Sequence, residues 1–475
     1  MGFLQRRRVD TVPALVVRDD APRADPRAGD DGHGNTASLV DRSLMALLGA
    51  ARSQLERVPF PFAVSWPGGW LGPRQPELRF HFLKRRMLRA LAQGDIGALG
   101  EAYVQGEVEL HGSLRHLMQA IAVLAGNPTE VERPGPFGHW WRLRRSRQNH
   151  QARRDAQQIE FHYDVSDAFY ALWLDPRRVY SCAYWPEGVD NLAAAQEAKL
   201  DLICRKLRLQ PGQRLLDVGA GWGALLIWAA QHYGVEAHGI TLSRHQHVHV
   251  QRLIEHHGLA GRVHIHLLDY RAVADQPWAR EPFERIASVG MFEHVGLAQL
   301  PTYFGQLHQL LAPGGLVLNH GITAGGLHNP ELGAGIGEFV ERHIFPGGEL
   351  VHVSRVAAEL SQAGLELVDL ENLRPHYGRT LWAWSDALEA QLEAAATLVA
   401  PDTLRAYRLY LAGCAMAFEQ GWISLNQLLA TRPDGHVEAT AGRRLRGAQS
   451  SYPFERGEVC APGHREPNQR TGLSG

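Results

Sequence analysis

A chain of 475 residues allows about three folded units, or two with tails, and its 45% apolar content is enough for a real core, which excludes a wholly disordered protein. Lysine and arginine together number 49 against 50 aspartates and glutamates, a net charge of -1, which argues against a globally basic nucleic-acid binder. Cys182, Cys204, Cys414 and Cys460 show no CxxC spacing, which argues against a disulfide scaffold or a structural zinc site and fits a reducing compartment. Lys84, Lys199 and Lys206 are the only lysines; every other cation is arginine.

Residues 1–36, rich in Arg, Asp, Pro and Gly, read as a disordered tail. The opening MGFLQRRRVD has no apolar stretch behind its arginines, so no secretory signal is expected. Arg6 stands where N-myristoylation of Gly2 would want Ser or Thr. No run approaches the roughly 18 apolar residues of a membrane helix, so lipid contact is expected to be peripheral. Over 37–130 a helical period from Ser38, a strand from Leu78 to Phe82, a helix from Met87 to Ala92 stopped by Gly94-Asp95 and a helix from Leu114 to Leu124 predict a small α+β domain. Residues 131–158 read as a basic linker, with Arg142, Arg144, Arg145, Arg147, Arg153 and Arg154 beside Trp140 and Trp141. This segment is either a solvated linker helix or an anchor on anionic headgroups.

From 159 to 435 strand-like runs (Leu215 to Val218, Ala237 to Thr241, Val263 to Leu268, Ile286 to Val289, Leu316 to Asn319) alternate with helical ones such as Ala224 to Gln231. The alternation predicts an α/β fold, a mostly parallel, Rossmann-like sheet with helices on both faces. Residues 436–475 read as a polar tail. Between a strand and a helix lies Asp217-Val-Gly219-Ala-Gly221-Trp-Gly223, where glycines let a ligand approach the backbone at a helix N-terminus. The spacing is GxGxG, without a P-loop lysine. The acid before the first glycine would repel a pyrophosphate and suits a ligand with an ammonium group, such as S-adenosylmethionine. Leu311-Ala-Pro-Gly-Gly315, a turn before a late strand, recurs in class I methyltransferases and strengthens that reading. No acid follows the second strand to hold ribose hydroxyls. In that region, with Thr241, Gln246 supplies a neutral amide instead, and Asp269-Tyr270 after the third strand offers a carboxylate and a ring.

These motifs become specific in His162-Tyr-Asp-Val165, Tyr180-Ser-Cys-Ala-Tyr-Trp185, Leu216 to Gly223, Gly290-Met-Phe-Glu-His-Val-Gly296, Phe345-Pro-Gly-Gly348 and Leu411-Ala-Gly-Cys-Ala415. With them residues 159–430 resemble the cyclopropane-fatty-acyl-phospholipid synthase family, which includes the mycolic-acid cyclopropane synthases. Residues 78–125 are similar to the small N-terminal domain of its longer members. The family usually has Cys where this chain has Ala220, a change that leaves a backbone contact intact. The resemblance implies methyl transfer from S-adenosylmethionine to a cis double bond of a phospholipid acyl chain, then loss of a proton and closure of a three-membered ring. It implies bound bicarbonate as the base, held by the Cys182 thiol, the Glu293 carboxylate, the His320 ring, the backbone at Ile322 and the Tyr377 hydroxyl. Glu293 should then have a raised pKa, since two bare anions repel.

Taken singly, these residues have plainer readings: Cys182 a small buried hydrophobe, Glu293 a helix N-terminal acid, His320 a core histidine, Tyr377 a packed ring. Their joint occurrence in matching motifs favours the site. The resemblance places Tyr180 and Ser181 on the cofactor, and Tyr163 near the reacting centre, where an aromatic face stabilises positive charge. Cys414 matches a family cysteine; the reaction needs no covalent nucleophile, so it stays a secondary candidate with a structural role favoured. His245 and His249 at i,i+4, and His264 and His266 on one strand face, suggest a metal, but no carboxylate or cysteine completes a set, so none is expected.

Two other endings remain: a methylene- or methyl-branched chain from the same methyl transfer, or a non-catalytic lipid-binding relative. The expected partners are unsaturated phospholipid acyl chains at the membrane surface and no nucleic acid, with a homodimer left open. The expected location is the cytoplasm, peripheral on the inner face of the membrane.

Overall fold

The computed structural model describes residues 34–126, 129, 167–327, 339 and 349–433, with side chains from residue 45 onward. Of the predicted N-terminal tail 1–36, residues 1–33 lie outside the described residues and 34–36 begin a helix; the tail 436–475, the basic segment 140–154, Tyr163 with its motif and Phe345 to Gly348 also lie outside them. The described chain divides into two units, the first made of 34–126, Phe339 and Pro401–Ala412.

In the first unit the predicted helix from Ser38, strand at Leu78 and helices at Met87 and Leu114 become helix Gly34–Arg57, strand β3 (Leu78–Phe82) and helices Met87–Gln93 and Leu114–Ala125; strands β1 (Phe62–Trp66), β2 (Gly69–Leu71) and β4 (Val108–His111) and helix Ile96–Val104 stand beside them, unexpected from the sequence. The strands form a sheet ordered β2-β1-β3-β4. Strand β3 alternates, burying Leu78, Phe80 and Phe82, as expected when one sheet face meets a core. Gly94 ends one helix with a left-handed φ of 68°, Asp95 starts the next by accepting from Ala98 N at 2.9 Å, and Ser113 caps Leu114–Ala125 in the same way. Residues Pro401–Ala412 group with this unit although they fall within the stretch expected as 159–435: Arg408 donates to the Tyr103 hydroxyl at 2.7 Å.

The second unit is built on seven strands: β5 (Arg214–Val218), β6 (Glu236–Thr241), β7 (Val263–Leu267), β8 (Phe283–Val289), β9 (Leu311–Ala324), β10 (Glu366–Asn372) and β11 (Ile423–Thr431). Their order is β10-β11-β9-β8-β5-β6-β7. The run from β7 to β9 is parallel, and β11 pairs antiparallel with both β9 and β10. The central strands are apolar at consecutive positions because both faces are covered. Leu215 and Leu318 face a core shared with helices Leu192–Lys206, Ala224–Tyr233 and Arg244–His256. Leu216 and Val317 face another, shared with helices Leu300–Leu310 and Val353–Gln362. The predicted class I methyltransferase sheet is therefore present. The late strand extends well beyond Leu316 to Asn319, and the Leu311-to-Gly315 turn is a register shift within it against β8.

Two of the three lysines are buried here. Lys206 is 1% exposed and is held by Glu371 and by Asp369 at 3.8 Å. Replacing one member of such a pair strands the other charge in the core. Lys206→Met should therefore lower the unfolding free energy by about 3–5 kcal/mol in chemical denaturation, with an unchanged far-ultraviolet spectrum.

Candidate active site

Polar groups excluded from the two-sided core gather at the carboxyl ends of β5, β6 and β8, the usual ligand position of an open α/β sheet. A cavity of about 120 Å³ opens there, lined among others by Tyr180, Ser181, Asp217, Gly219, Gly221, Thr241 and Gln246. Gly219, Gly221 and Gly223 all take left-handed φ (87°, 53° and 84°), which the tight turn into helix Ala224–Tyr233 requires. A Cβ on Gly221 would meet open space, whereas one on Gly223 would lie 2.8 Å from Val250. Gly221 is thus free for a ligand's approach, and Gly223 serves packing.

Asp217 is 2% exposed, and its Oδ1 has no hydrogen-bond partner. Burial pushes its carboxyl up to about 7, and the nearby Lys199 cation opposes the shift. Thr241 donates to Gln246 Oε1 at 2.7 Å and receives Ser243 N at 3.1 Å, which holds the Gln246 amide at the cavity. Asp269 and Tyr270 are not among the cavity-lining residues. The Asp269 carboxylate takes the Arg271 guanidinium at 2.7 and 2.8 Å, and the Tyr270 ring meets Tyr303 edge-on at 5.5 Å.

Lys199 lines the cavity, as does Arg178, and was not singled out by sequence motifs. It is 2% exposed, donates to Ser181 Oγ at 2.9 Å, and is pushed down to about 8 by burial. The available signal was compositional: a lysine in a chain that otherwise uses arginine. Gln196, on the same helix, donates to the Ser181 carbonyl at 2.9 Å and fixes the segment that bears Tyr180 and Cys182. Tyr180 packs against Tyr170 and Trp384 with tilted rings and edge-on against Trp173, at 5.4–5.5 Å.

Contacts through the Leu425 and Leu373 backbones run between four of the five residues of the expected anion cage. Glu293 sits in a 3-10 turn after β8 and accepts Ile322 N at 2.6 Å, while its Oε2 has no partner. Ile322 pairs with Leu425, whose carbonyl accepts Leu373 N at 2.9 Å. Leu373 in turn accepts Tyr377 N at 3.1 Å, and its carbonyl lies 4.0 Å from Cys182 Sγ. His320, two residues before Ile322 on β9, takes the Gln427 amide on Nδ1 at 3.1 Å. Its proton then belongs on Nε2, which has no partner. Tyr377 packs on Phe418 at 4.6 Å.

Burial sets every ionisation state in this chain. It pushes Glu293 up to about 7, holds His320 well below the usual imidazole range and raises the Cys182 thiol. The Glu293 shift thus comes from dehydration first, before any second anion. Cys414, on helix Pro401–Glu419, is half-buried, with its thiol pushed up to about 12 by burial.

A buried acid with a raised folded pKa keeps its proton where the unfolded chain has released it. Its contribution to stability is complete below about pH 4.5 and is lost as the pH rises to about 7. Glu293→Gln should therefore gain on the wild type across that window by on the order of 3 kcal/mol, in denaturation curves at pH 4 and pH 8.

Residues 150–428 match the family model described as mycolic acid cyclopropane synthetase. A Pseudomonas putida protein named "Probable fatty acid methyltransferase" is 45% identical over 377 residues, covering 78% of this chain and 92% of that protein. Cyclopropane mycolic acid synthase 1 of Mycobacterium tuberculosis strain H37Rv is 39% identical over 281 residues, 57% of this chain and 94% of its own length. The crystal structure of mycolic acid cyclopropane synthase CmaA1 complexed with SAH and CTAB superposes with a TM-score of 0.54 at 37% identity, over 58% of this chain and 98% of that one. Coclaurine N-methyltransferase shares the fold alone, with a TM-score of 0.57 at 20% identity, over 71% of this chain and 99% of that one. The chain therefore belongs to the mycolic acid cyclopropane synthetase family and is an S-adenosylmethionine-dependent methyltransferase of the cyclopropane synthase type.

Proposed function

We propose that the protein transfers the S-adenosylmethionine methyl group to a cis double bond of a phospholipid acyl chain and closes a cyclopropane ring, with bound bicarbonate as base. The observation that carries this reading is the pair of buried, unpartnered atoms, Glu293 Oε2 and His320 Nε2, each fixed through its other atom by Ile322 and Gln427. An acid oxygen and an imidazole N–H left open in a core are costly unless a polar guest completes them. The donor set fits a small oxyanion. His320 and Cys182 are neutral donors, and Glu293, poised near 7, shares or supplies the proton between itself and an anion.

At the cavity Asp217 would hold the ammonium of the methyl donor, and Lys199 with Ser181 its carboxylate. Gln246 would reach the ribose hydroxyls. S-adenosylmethionine supplies an electrophilic methyl group; bicarbonate, when bound, supplies a weak base. The residues orient the alkene and exclude water, which a carbocation needs more than strong basicity. The aromatic group of Tyr180, Trp173, Trp384 and Tyr377 provides faces suited to positive charge. The acyl chain gains CH3 and loses one proton, a net gain of CH2. Among the described residues no helix is long and apolar enough to cross a membrane, so the reading has the enzyme meet its lipid at the bilayer surface.

The test is incubation with S-adenosylmethionine, bicarbonate and vesicles of cis-unsaturated phospholipid, followed by mass spectrometry of the fatty acid methyl esters before and after mild hydrogenation. A CH2 gain that resists hydrogenation supports the ring. The same gain with uptake of two hydrogens means a methylene branch, and no gain with S-adenosylmethionine still bound means a lipid-binding relative. In that assay His320→Ala and Glu293→Gln should lower kcat by about 10²–10⁴-fold with little change in S-adenosylmethionine affinity. Asp217→Asn should do the reverse, weakening S-adenosylmethionine binding at least about tenfold, some 1.4 kcal/mol, in calorimetry.

A further inference from the structure

The histidines of β6 and β7 form a second constellation, away from the cavity. The parallel register sets His238 opposite His264 and Ile240 opposite His266. Alternation puts Glu236, His238, His264 and His266 on one face. His238 stacks on His264 at 4.7 Å, and His266 stacks on Trp278 at 4.0 Å with planes 7° apart. Glu236, His238 and His264 each offer one donor atom, and all three atoms lie within 4.8 Å of one another. Glu236 is the carboxylate whose lack argued against a metal in the sequence; it stands two residues before His238 on the same strand.

We propose that Glu236, His238 and His264 bind a divalent cation of the zinc class, clamping the edge strand β7 to β6. Four features carry this. Two imidazoles and a carboxylate are a borderline donor set that suits zinc rather than magnesium or calcium. His238 is buried while Glu236 and His264 are half-buried, so the site is anchored on one side and open on the other. Glu236 Oε1 already lies 2.8 Å from His238 Nε2 and is half-exposed, so a small rotation admits an ion at the usual ~2.0–2.2 Å from each. His238 Nδ1 faces His266 Nε2 at 3.4 Å, an outer partner of the kind that orients ligating imidazoles.

The proton balance closes with solvent. As the ion binds, the Nε2 proton of His238 leaves to solvent, Nδ1 takes a proton from His266 Nε2, and His266 takes one from solvent on Nδ1; both rings stay neutral. Arg214 opposes the ion from 3.7 Å at Glu236. Its other nitrogens are fixed on the carbonyls of Trp278 and Glu281, so a cation need displace only the Glu236 contact. Thr241, at the cavity, is five residues along β6 from Glu236, roughly 16 Å at strand rise, so the two sites do not overlap.

The test uses full-length protein stripped with chelator, then titrated with zinc chloride in calorimetry and with cobalt chloride in visible absorption. The wild type should take up one ion at this site with the strong d–d bands of tetrahedral cobalt. Glu236→Gln and His264→Ala should each weaken that uptake at least about tenfold, and His256→Ala, on an exposed helix end, should not. Zinc should raise the unfolding midpoint of the wild type and not of His264→Ala; circular dichroism shows that each variant is folded, and if one is not, the other decides. No uptake by folded wild-type protein, or uptake in both ligand variants as tight as in the wild type, overturns the proposal. Neither readout depends on methyl transfer.

Discussion

A strand buried on both faces has nowhere to keep a polar side chain except at its ends, and that constraint organises the second unit. β5 runs Arg214-Leu-Leu-Asp-Val: its leucines enter two different cores, and its acid falls where the strand meets the glycine turn. β6 does the same with Thr241, and β8 ends just before the turn that holds Glu293. The apolar interior thus assembles the chemistry at one edge without needing any polar residue to be attracted there.

Buried polar residues inside strands, such as His238 on β6 and Asn319 and His320 on β9, are exceptions, and the antiparallel addition of β11 is another. It carries Asn426 and Gln427 within a buried strand, which the core would reject if they were alone. Each meets a polar residue of β9: Asn426 donates to Thr323 at 2.8 Å, and Gln427 to His320. β9 can therefore carry a histidine deep in a sheet, with one ring nitrogen satisfied and the other open.

Local patterns were legible in the sequence because local forces make them. The helix stop at Gly94, the Leu78 to Phe82 alternation and the GxGxG turn each depend on a few neighbouring residues, and all three stand where the sequence puts them. β10 and β11 escaped because one is a half-exposed edge and the other hides polar residues whose partners lie about a hundred positions away. The chemistry of Lys199 escaped for the same reason: its contact with Ser181 spans a loop and a helix, and composition alone marked the residue as unusual. The histidines were seen, but the parallel register that sets His238 opposite His264, beside Glu236, follows from the order of strands and not from spacing.

The charges divide accordingly. At the cavity an acid and a lysine are buried together, each shifted toward neutrality by dehydration and each drawn back by the other. That arrangement suits a zwitterion, whose two ends complete both groups at once. The hydrogen bond at Glu293 comes from the Ile322 amide, while burial holds the His320 imidazole neutral and the Cys182 thiol protonated. A guanidinium or ammonium in direct contact would hold an anion more tightly and lower its pKa, which weakens it as a base. Neutral donors position a weak base while leaving its basicity near the solution value. Dehydration, which makes Glu293 reluctant to ionise, is the same force that keeps His320 and Cys182 neutral.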